Sequence, residues 1–242
     1  MILKFLFDRI VAFVGLCFLW PVILVTAILV KVKMPGGSAF FVQKRVGKGG
    51  KLFKCHKFRT MIPVKNNEGA NAQKGDKKWS SVSVAGDSRI TPFGAKLRHY
   101  KIDELPGLWD VLIGNMSFVG PRPDVPGYAD KLTGDDRDVL RLRPGITGPA
   151  TLKYRVEDEM IAEFVKEVKE GTNAQVKAFA DAPDFTKITD QEIAVWYNDN
   201  VIYPDKVRIN CYYYRNYSFI KDIQMIFCTV LGKKMKYAGE EI

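Results

Sequence analysis

The feature that most constrains the fold is an uncharged apolar segment near the N-terminus. Over residues 10–30 there is no charged side chain, and only Gly15, Pro21 and Thr26 interrupt the apolar run. A helix of this length is long enough for the hydrocarbon core of a bilayer. Lys31 follows the segment, and no small-residue cleavage site does, so the pattern predicts a retained membrane segment and not a cleaved secretory signal.

Trp20-Pro21 lies at the middle of this segment. Proline removes an intrahelical hydrogen bond and clashes with the preceding turn, so we predict a kink there. Both flanks of the segment are basic, and the positive-inside rule therefore assigns no clear orientation. A kinked helix that spans the bilayer fits the pattern. A re-entrant helix that bends at Pro21 and returns to the same face satisfies both basic flanks, and it is our prediction.

The charge of the chain is unevenly distributed. The formal net charge is +10, and residues 31–101 hold 17 Lys or Arg against Glu68, Asp76 and Asp87. Such a block attracts polyanions, which include nucleic acid, anionic lipid headgroups and phosphorylated substrates. The sequence has neither a helix-turn-helix pattern nor an aromatic platform, so we predict no nucleic-acid partner.

The rest of the chain alternates short strands and helices. Strands are predicted at 39–43 and 52–58, around a glycine-rich basic turn, and a long polar loop at 62–88. Thr91-Pro92 marks the start of a helix that runs to about Tyr100, and a second helix is predicted at 104–113. Further helical patterns follow at 124–132, 135–142, 157–170 and 189–200. Residues 143–148 are predicted to form a turn that leads into a short strand.

The last helical pattern is amphipathic. Tyr203-Pro204 is predicted to interrupt the preceding helix, and apolar residues then recur at helical spacing from Phe219 to Leu231. Basic residues border this stripe, so the helix either lies in the membrane interface or packs in the core.

The acidic pair Asp103-Glu104 is the first candidate for chemistry. Carboxylates supply nucleophiles, bases or Mg2+ ligands, and Arg98 and Arg122 on either side offer forked donors to phosphoryl oxygens. A structural alternative stays open, in which Asp103 is an ordinary helix N-cap. The alternating Lys57-Phe58-Arg59 is likewise compatible with a strand that has one solvated face.

Several other chemistries are excluded. The four cysteines are scattered and the two histidines, His56 and His99, are isolated, so no zinc spacing or Cys-His nucleophile pattern is present. The cysteine usage indicates reduced thiols in a cytoplasmic compartment. The chain also has no Walker loop, dinucleotide fingerprint or Gly-x-Ser-x-Gly elbow.

Six motifs in register resemble one family, the bacterial sugar transferases, which are monotopic phosphoglycosyl transferases. They are Lys4-x-x-Phe7-Asp8, the proline-broken apolar helix, Lys57-Phe58-Arg59-Thr60-Met61, Ile102-Asp103-Glu104-Leu105-Pro106, Gly120-Pro121-Arg122-Pro123 and Arg143-Pro144-Gly145-Ile146-Thr147-Gly148. The resemblance covers nearly all of residues 1–152, and the length is that of the small members. At the helix break this chain has Trp20-Pro21 where many members have Ser-Pro.

The resemblance implies the fold and the domains. It implies a monotopic membrane protein of the α+β class, mainly helical, on the cytoplasmic face of the bacterial inner membrane. The expected parts are a re-entrant kinked helix at 1–33, a catalytic core with a β-hairpin at 34–152, and a helical extension with an interfacial amphipathic helix at 153–242.

The resemblance also implies a reaction. A sugar phosphate passes from a nucleotide diphosphate sugar, usually a UDP-sugar, to polyprenol phosphate such as undecaprenyl phosphate, and UMP is released. Asp103 is the implied nucleophile and Mg2+ ligand, and Glu104 assists the lipid phosphate. The implied phosphate ligands are Arg98, Arg122, Lys57, Arg59 and Arg143.

Two rival hypotheses remain at this point. A membrane-anchored scaffold that binds anionic lipid would use the basic block without catalysis, with Asp103 as a helix cap. A phosphatase with an aspartyl nucleophile is a rival within enzymes.

Overall fold

In a computed structural model, which describes residues 2–62, 89–173 and 182–242, the apolar N-terminal segment is one helix, α1 (Ile2–Lys33). Its 32 residues make it about 48 Å long, which exceeds a hydrocarbon core of about 30 Å. Pro21 lies inside this helix and not between two helices. The predicted kink and the re-entrant path stay predictions.

The burial pattern of α1 is the reverse of that of a helix in a water-soluble core. Lys4, Asp8 and Thr26 are buried, whereas large apolar side chains such as Phe18 and Trp20 are exposed. Among the described residues, α1 alone is long and apolar enough to cross a membrane. An exposed apolar surface of this extent marks a site of membrane or protein contact.

Contacts divide the described chain into two units. The first contains residues 2–62, 89–153 and 208–242, and the second contains residues 154–173 and 182–207. The predicted C-terminal region, 153–242, therefore contributes residues to both units. Nearly all of the predicted loop at 62–88 lies outside the described residues.

The first unit contains the predicted hairpin. Strands β1 (Phe40–Val46) and β2 (Leu52–Phe58) pair antiparallel, with Phe40 opposite Phe58, which confirms the prediction. The buried side of the hairpin end packs with α1, because Phe58 shares a hydrophobic cluster with Val30 and Met34.

Two helices follow in this unit. Helix α2 (Pro92–His99) begins as predicted, with the Thr91 hydroxyl accepting from the amide of Gly94. The second predicted helix starts later than expected: a 3-10 turn covers Ile102–Glu104, and α3 covers Gly107–Leu112. Pro106 has no amide hydrogen to donate into an earlier turn, so the helix begins after it.

A parallel pair of short strands comes next, β3 (Ser117–Val119) and β4 (Gly145–Thr147). The two predicted helical patches between them are only 3-10 segments, Ala129–Lys131 and Gly134–Arg141. In the first patch, Pro126 and the positive φ of Gly127 interrupt helical geometry. Helix α4 (Pro149–Lys153) ends this part of the chain.

The second unit is helical. Helix α5 (Glu157–Glu170) matches its predicted bounds, and α6 (Asp190–Tyr197) begins with a capping box between Thr189 and Glu192. The predicted interruption at Tyr203-Pro204 is wrong. A π-helical turn (Asn198–Ile202) leads directly into α7 (Tyr203–Arg215), and the amide of Tyr203 donates to the carbonyl oxygen of Asn198. Helical structure therefore continues through Pro204, and the altered hydrogen-bond pattern of the π-helical turn accommodates the proline.

Helix α8 (Phe219–Leu231) confirms the amphipathic prediction. Met225 lies in a core cluster of the first unit together with Val119 and Tyr213, whereas Phe227 and Val230 are exposed. One face therefore packs in the core and the opposite face is an exposed apolar surface. The chain ends in an antiparallel pair, β5 (Lys236–Tyr237) and β6 (Glu240–Glu241).

Candidate active site

The acidic pair lies on the tight turn between α2 and α3. Lys101 adopts a left-handed conformation (φ 56°), and the 3-10 turn Ile102–Glu104 follows directly. The side chain of Asp103 caps no helix, since α3 begins at Gly107 and Pro106 occupies its N-cap position. The helix-cap alternative for Asp103 is therefore wrong, and the residue needs another explanation.

Glu104 is held by two cations. Its Oε1 accepts from Lys57 Nζ at 2.8 Å and from Arg122 Nη2 at 3.2 Å. Burial opposes the ionisation of Glu104, but the charges of Arg122 and Lys57 outweigh it and hold the pKa of Glu104 well below its usual range. Glu104 is therefore ionised at neutral pH, and its carboxylate orients the side chains of Lys57 and Arg122.

Asp103 has the opposite environment. Only 8% of its surface is exposed, and its Oδ1 is buried without a hydrogen-bond partner among the described residues. Burial raises the pKa of Asp103 and the charge of Glu104 raises it further, while Lys57, Arg98 and Lys101 offset part of this rise. A buried carboxylate without a donor is costly for the fold. Such a group is a candidate for chemistry.

A pocket of about 430 Å3, open to solvent, adjoins the pair. Glu104, Lys57 and Arg122 line it together with Arg45, which is on β1. Asp103 does not line it. Three cations against one carboxylate make the pocket suitable for phosphate groups. For a bound substrate to meet Asp103, either the carboxylate side chain or the substrate must move toward the other.

The five predicted phosphate ligands are not all in one place. Lys57 and Arg122 line the pocket, and Arg98 acts electrostatically on Asp103 from the last turn of α2. Arg59 is buried and donates to the carbonyl oxygen of Met34, at the end of α1. It caps that helix end and does not line the pocket.

Arg143 is also elsewhere. Its Nε donates to the carbonyl oxygen of Gly114 at 3.0 Å, and its guanidinium lies 4.3 Å from the ring centre of Phe5 on α1. The prediction that Arg59 and Arg143 belong to the phosphate pocket is therefore not supported by their contacts. Both are engaged with α1 or its end.

The sequence analysis missed a second carboxylate pairing in the pocket. His56 lines it, and the His56 Nδ1 lies 2.8 Å from Oδ1 of Asp110 on α3, whose Oδ2 accepts from the main-chain N–H of His56 at 2.8 Å. Asp110 is fully buried. Burial raises the pKa of Asp110, and the hydrogen bonds from His56 offset part of that rise. No local pattern links two residues 54 positions apart, so the sequence alone does not indicate the pair.

The described residues contain no group of three or more His, Cys, Asp or Glu side chains arranged for a metal. Mg2+ needs fewer protein ligands, because it is commonly held by one or two carboxylates together with substrate phosphates. Glu104 is occupied by two cations, whereas Asp103 has an oxygen without a hydrogen bond. Asp103 therefore fits the role of a single protein ligand.

Comparison with known proteins identifies the family. The family model described as bacterial sugar transferase matches residues 1–234, and the chain belongs to that family.

Several relatives are named for sugar-phosphate transfer. The chain is 38% identical over 160 residues to a putative undecaprenyl-phosphate N-acetylgalactosaminyl 1-phosphate transferase of Bacillus subtilis, covering 64% of this chain and 79% of that one. It is 30% identical over 229 residues to a UDP-N-acetylgalactosamine-undecaprenyl-phosphate N-acetylgalactosaminephosphotransferase of Aeromonas hydrophila, covering 92% of this chain and 41% of that one. A UDP-glucose:undecaprenyl-phosphate glucose-1-phosphate transferase of Xanthomonas campestris is 38% identical over 69% of this chain, but over only 33% of its own length.

The environment of Asp103 predicts an unusual stability effect. Folding raises the pKa of Asp103, so the charged form of Asp103 lowers the free energy of unfolding. This destabilisation decreases as the pH falls through the pKa of the folded state, and it is absent below the pKa of the unfolded state. We expect Asp103→Asn to be at least as stable as wild type at pH 7, with any advantage shrinking toward pH 4. Thermal unfolding of the detergent-solubilised protein measures this.

Asp222→Asn is the control, because Asp222 is also buried but accepts from Lys4 at 2.7 Å and from Tyr213 at 2.6 Å. Removing one partner of a buried ion pair should cost about 3 kcal/mol. A large loss of stability in Asp103→Asn as well would show that the Asp103 carboxylate has a structural role.

Proposed function

We propose that this protein transfers a sugar phosphate from a UDP-sugar to undecaprenyl phosphate, giving undecaprenyl-diphospho-sugar and UMP. The reaction is the initiating step of bacterial surface glycan assembly. The observation that carries the proposal is the contrast within one acidic pair. The buried Oδ1 of Asp103 has no hydrogen-bond partner in the described part of the chain, whereas the adjacent Glu104 is bound by Lys57 and Arg122. Membership of the family and the names of the relatives supply the substrates.

In the first step, Asp103 is the nucleophile. A carboxylate oxygen of Asp103 attacks the phosphorus next to the sugar, and an aspartyl-phosphosugar bond forms. The bond from that phosphorus to the bridging oxygen breaks, and its electron pair leaves with UMP. A raised pKa makes the Asp103 carboxylate more basic, and the lone pairs of Oδ1, which no donor among the described residues occupies, are available for the attack.

In the second step, an oxygen of undecaprenyl phosphate attacks the same phosphorus and releases Asp103. This step needs cations that hold a second phosphate beside the intermediate. Lys57 and Arg122 are positioned for this, since both are already directed by their bonds to Glu104. Glu104 therefore assists the lipid phosphate by positioning its ligands.

We propose Mg2+ as the cofactor, held by Asp103 and the substrate phosphates. When bound, it neutralises charge on the phosphoryl oxygens. Every protein contribution described above comes from Asp103, Glu104, Lys57 and Arg122.

A membrane location follows from a lipid substrate. The exposed apolar side chains of α1 and of α8 are the surfaces that we place in the bilayer, with the chain on the cytoplasmic face of the inner membrane. We retain the re-entrant path for α1, because both of its flanks are basic.

The chemical proposal predicts a loss of turnover without a loss of fold. An amide is a very poor nucleophile, so Asp103→Asn should be folded and membrane-bound and should lose at least about 1,000-fold in UMP release. Asp136→Asn, an exposed aspartate, is the control and should keep wild-type activity. The assay is UMP release that depends on both UDP-sugar and undecaprenyl phosphate.

The same assay separates the rival hypotheses. A scaffold protein would release no UMP, and a phosphatase would act without the lipid. Substantial activity in Asp103→Asn, once deamidation is excluded by mass, would contradict the proposed nucleophile.

The topology has its own test. In a cysteine-free background, Leu3→Cys should stay unlabelled by a membrane-impermeant maleimide in cells with a permeable outer membrane, and it should react after the inner membrane is opened. Lys48→Cys, in the exposed hairpin turn, is the control and should behave in the same way. Labelling of Leu3→Cys alone before the inner membrane is opened would show that α1 spans the bilayer.

A further inference from the structure

The His56 and Asp110 pair is the feature of the pocket that the proposed reaction does not use. Asp110 contacts His56 twice, at the ring Nδ1 and at the main-chain N–H, both at 2.8 Å. The main-chain bond alone joins β2 to α3. The second bond, to the ring, fixes the orientation of the imidazole, and a brace between the two elements does not require it.

The ring bond determines which nitrogen is available. When Asp110 is ionised it can only accept hydrogen bonds, and the Nδ1 of His56 then carries a proton toward it. Among the described residues, Nε2 makes no hydrogen bond, and it is not one of the buried polar atoms without a partner. Nε2 is therefore accessible, on a side chain that is 28% exposed and lines the pocket.

The other cations of the pocket already have acceptors within the protein. Lys57 and Arg122 share Oε1 of Glu104. Arg45 donates to the carbonyl oxygen of Pro123 at 3.0 Å and to Oε1 of Gln43 at 2.6 Å. His56 is different. In the part of the chain that the structure describes, the ring contacts only Asp110, through Nδ1, which leaves Nε2 for a ligand.

We propose that His56 is a substrate-binding residue whose Nε2–H donates to a phosphate oxygen, with Asp110 as the residue that positions the ring. This rests on the proposed function for the nature of the ligand, which is a phosphate group of either the nucleotide donor or the lipid acceptor. The Asp110 carboxylate stabilises the imidazolium on one side and the bound phosphate stabilises it on the other.

Other titratable groups face the same pocket. They are Arg45 on β1, Lys57 and Cys55 on β2, Glu104 on the 3-10 turn, and Arg122. A bound phosphate would bring negative charge to the Nε2 side of the ring, opposite the carboxylate of Asp110.

Three variants distinguish phosphate binding by His56 from a purely structural contact between His56 and Asp110. In His56→Asn, the amide nitrogen replaces Nδ1, so the bond to Asp110 is kept and only Nε2 is lost. In Asp110→Asn, the main-chain bond of His56 is retained while the ring loses its carboxylate. His99→Asn changes the chain's other histidine, which is exposed on α2, and is the matched control.

The measurement is equilibrium binding of two probes, UDP and undecaprenyl phosphate, to the full-length protein in nanodiscs at pH 6 and pH 8. Loss of a hydrogen bond to a charged group should weaken phosphate binding about 10- to 100-fold in His56→Asn at pH 6. The ratio between wild type and variant should fall at pH 8, where histidine is ordinarily uncharged. Asp110→Asn should show a smaller loss with the same pH trend, and His99→Asn should match wild type.

Each outcome decides the proposal. Weakened UDP binding assigns the contact to the donor, and weakened binding of undecaprenyl phosphate alone assigns it to the acceptor. If wild type binds both probes and His56→Asn binds them equally well at both pH values, His56 is only a brace and the inference is wrong. If wild type binds neither probe, the proposed function itself is wrong. That result differs from the one that contradicts only the role of His56, in which wild type and variant bind equally well.

Discussion

The arrangement of the pocket depends on one shared acceptor, Oε1 of Glu104. Lys57 reaches it from β2 and Arg122 reaches it from the Gly-Pro-Arg-Pro segment after β3, so a single carboxylate joins three separate parts of the chain. The desolvation of Glu104 is offset because two cations face it. Nearby cations offset the desolvation of its neighbour Asp103 only in part, so the two carboxylates differ in basicity although they are adjacent in sequence.

Because of this difference in basicity, the two carboxylates are suited to different chemical roles. A carboxylate that is permanently ionised and bonded makes a poor nucleophile, but it can position cations for phosphate. A carboxylate that is buried without donors is costly for the fold and more basic, as a nucleophile needs to be. The tight turn produces both environments at once, since a left-handed Lys101 starts a 3-10 turn that directs consecutive side chains to different surroundings.

Local patterns in the sequence were sufficient for much of this structure. The hairpin, the start of α2 at Thr91, and α5 and α8 all depend on short-range signals such as alternation, caps and helical periodicity, and all were confirmed. Predictions at prolines were less reliable, because the effect of Pro106 or Pro204 depends on which turn of a helix it occupies.

Long-range contacts could not be predicted in this way. Lys57, Arg59 and Arg143 are equivalent as basic residues in motifs, yet only Lys57 lines the pocket, while Arg59 and Arg143 contact α1 or its end. The pairing of His56 with Asp110 joins a strand to a helix far away in sequence and leaves no local signature.

The proposed mechanism requires a covalent bond between Asp103 and the transferred phosphosugar. To detect it, the wild-type protein is incubated with a UDP-sugar in the absence of lipid and quenched rapidly, and the peptide masses are determined. A covalent intermediate predicts a mass increase equal to the sugar phosphate on the peptide that contains Asp103, and its disappearance when undecaprenyl phosphate is added before the quench. UMP release without any such adduct, or an adduct on a different residue, would contradict it.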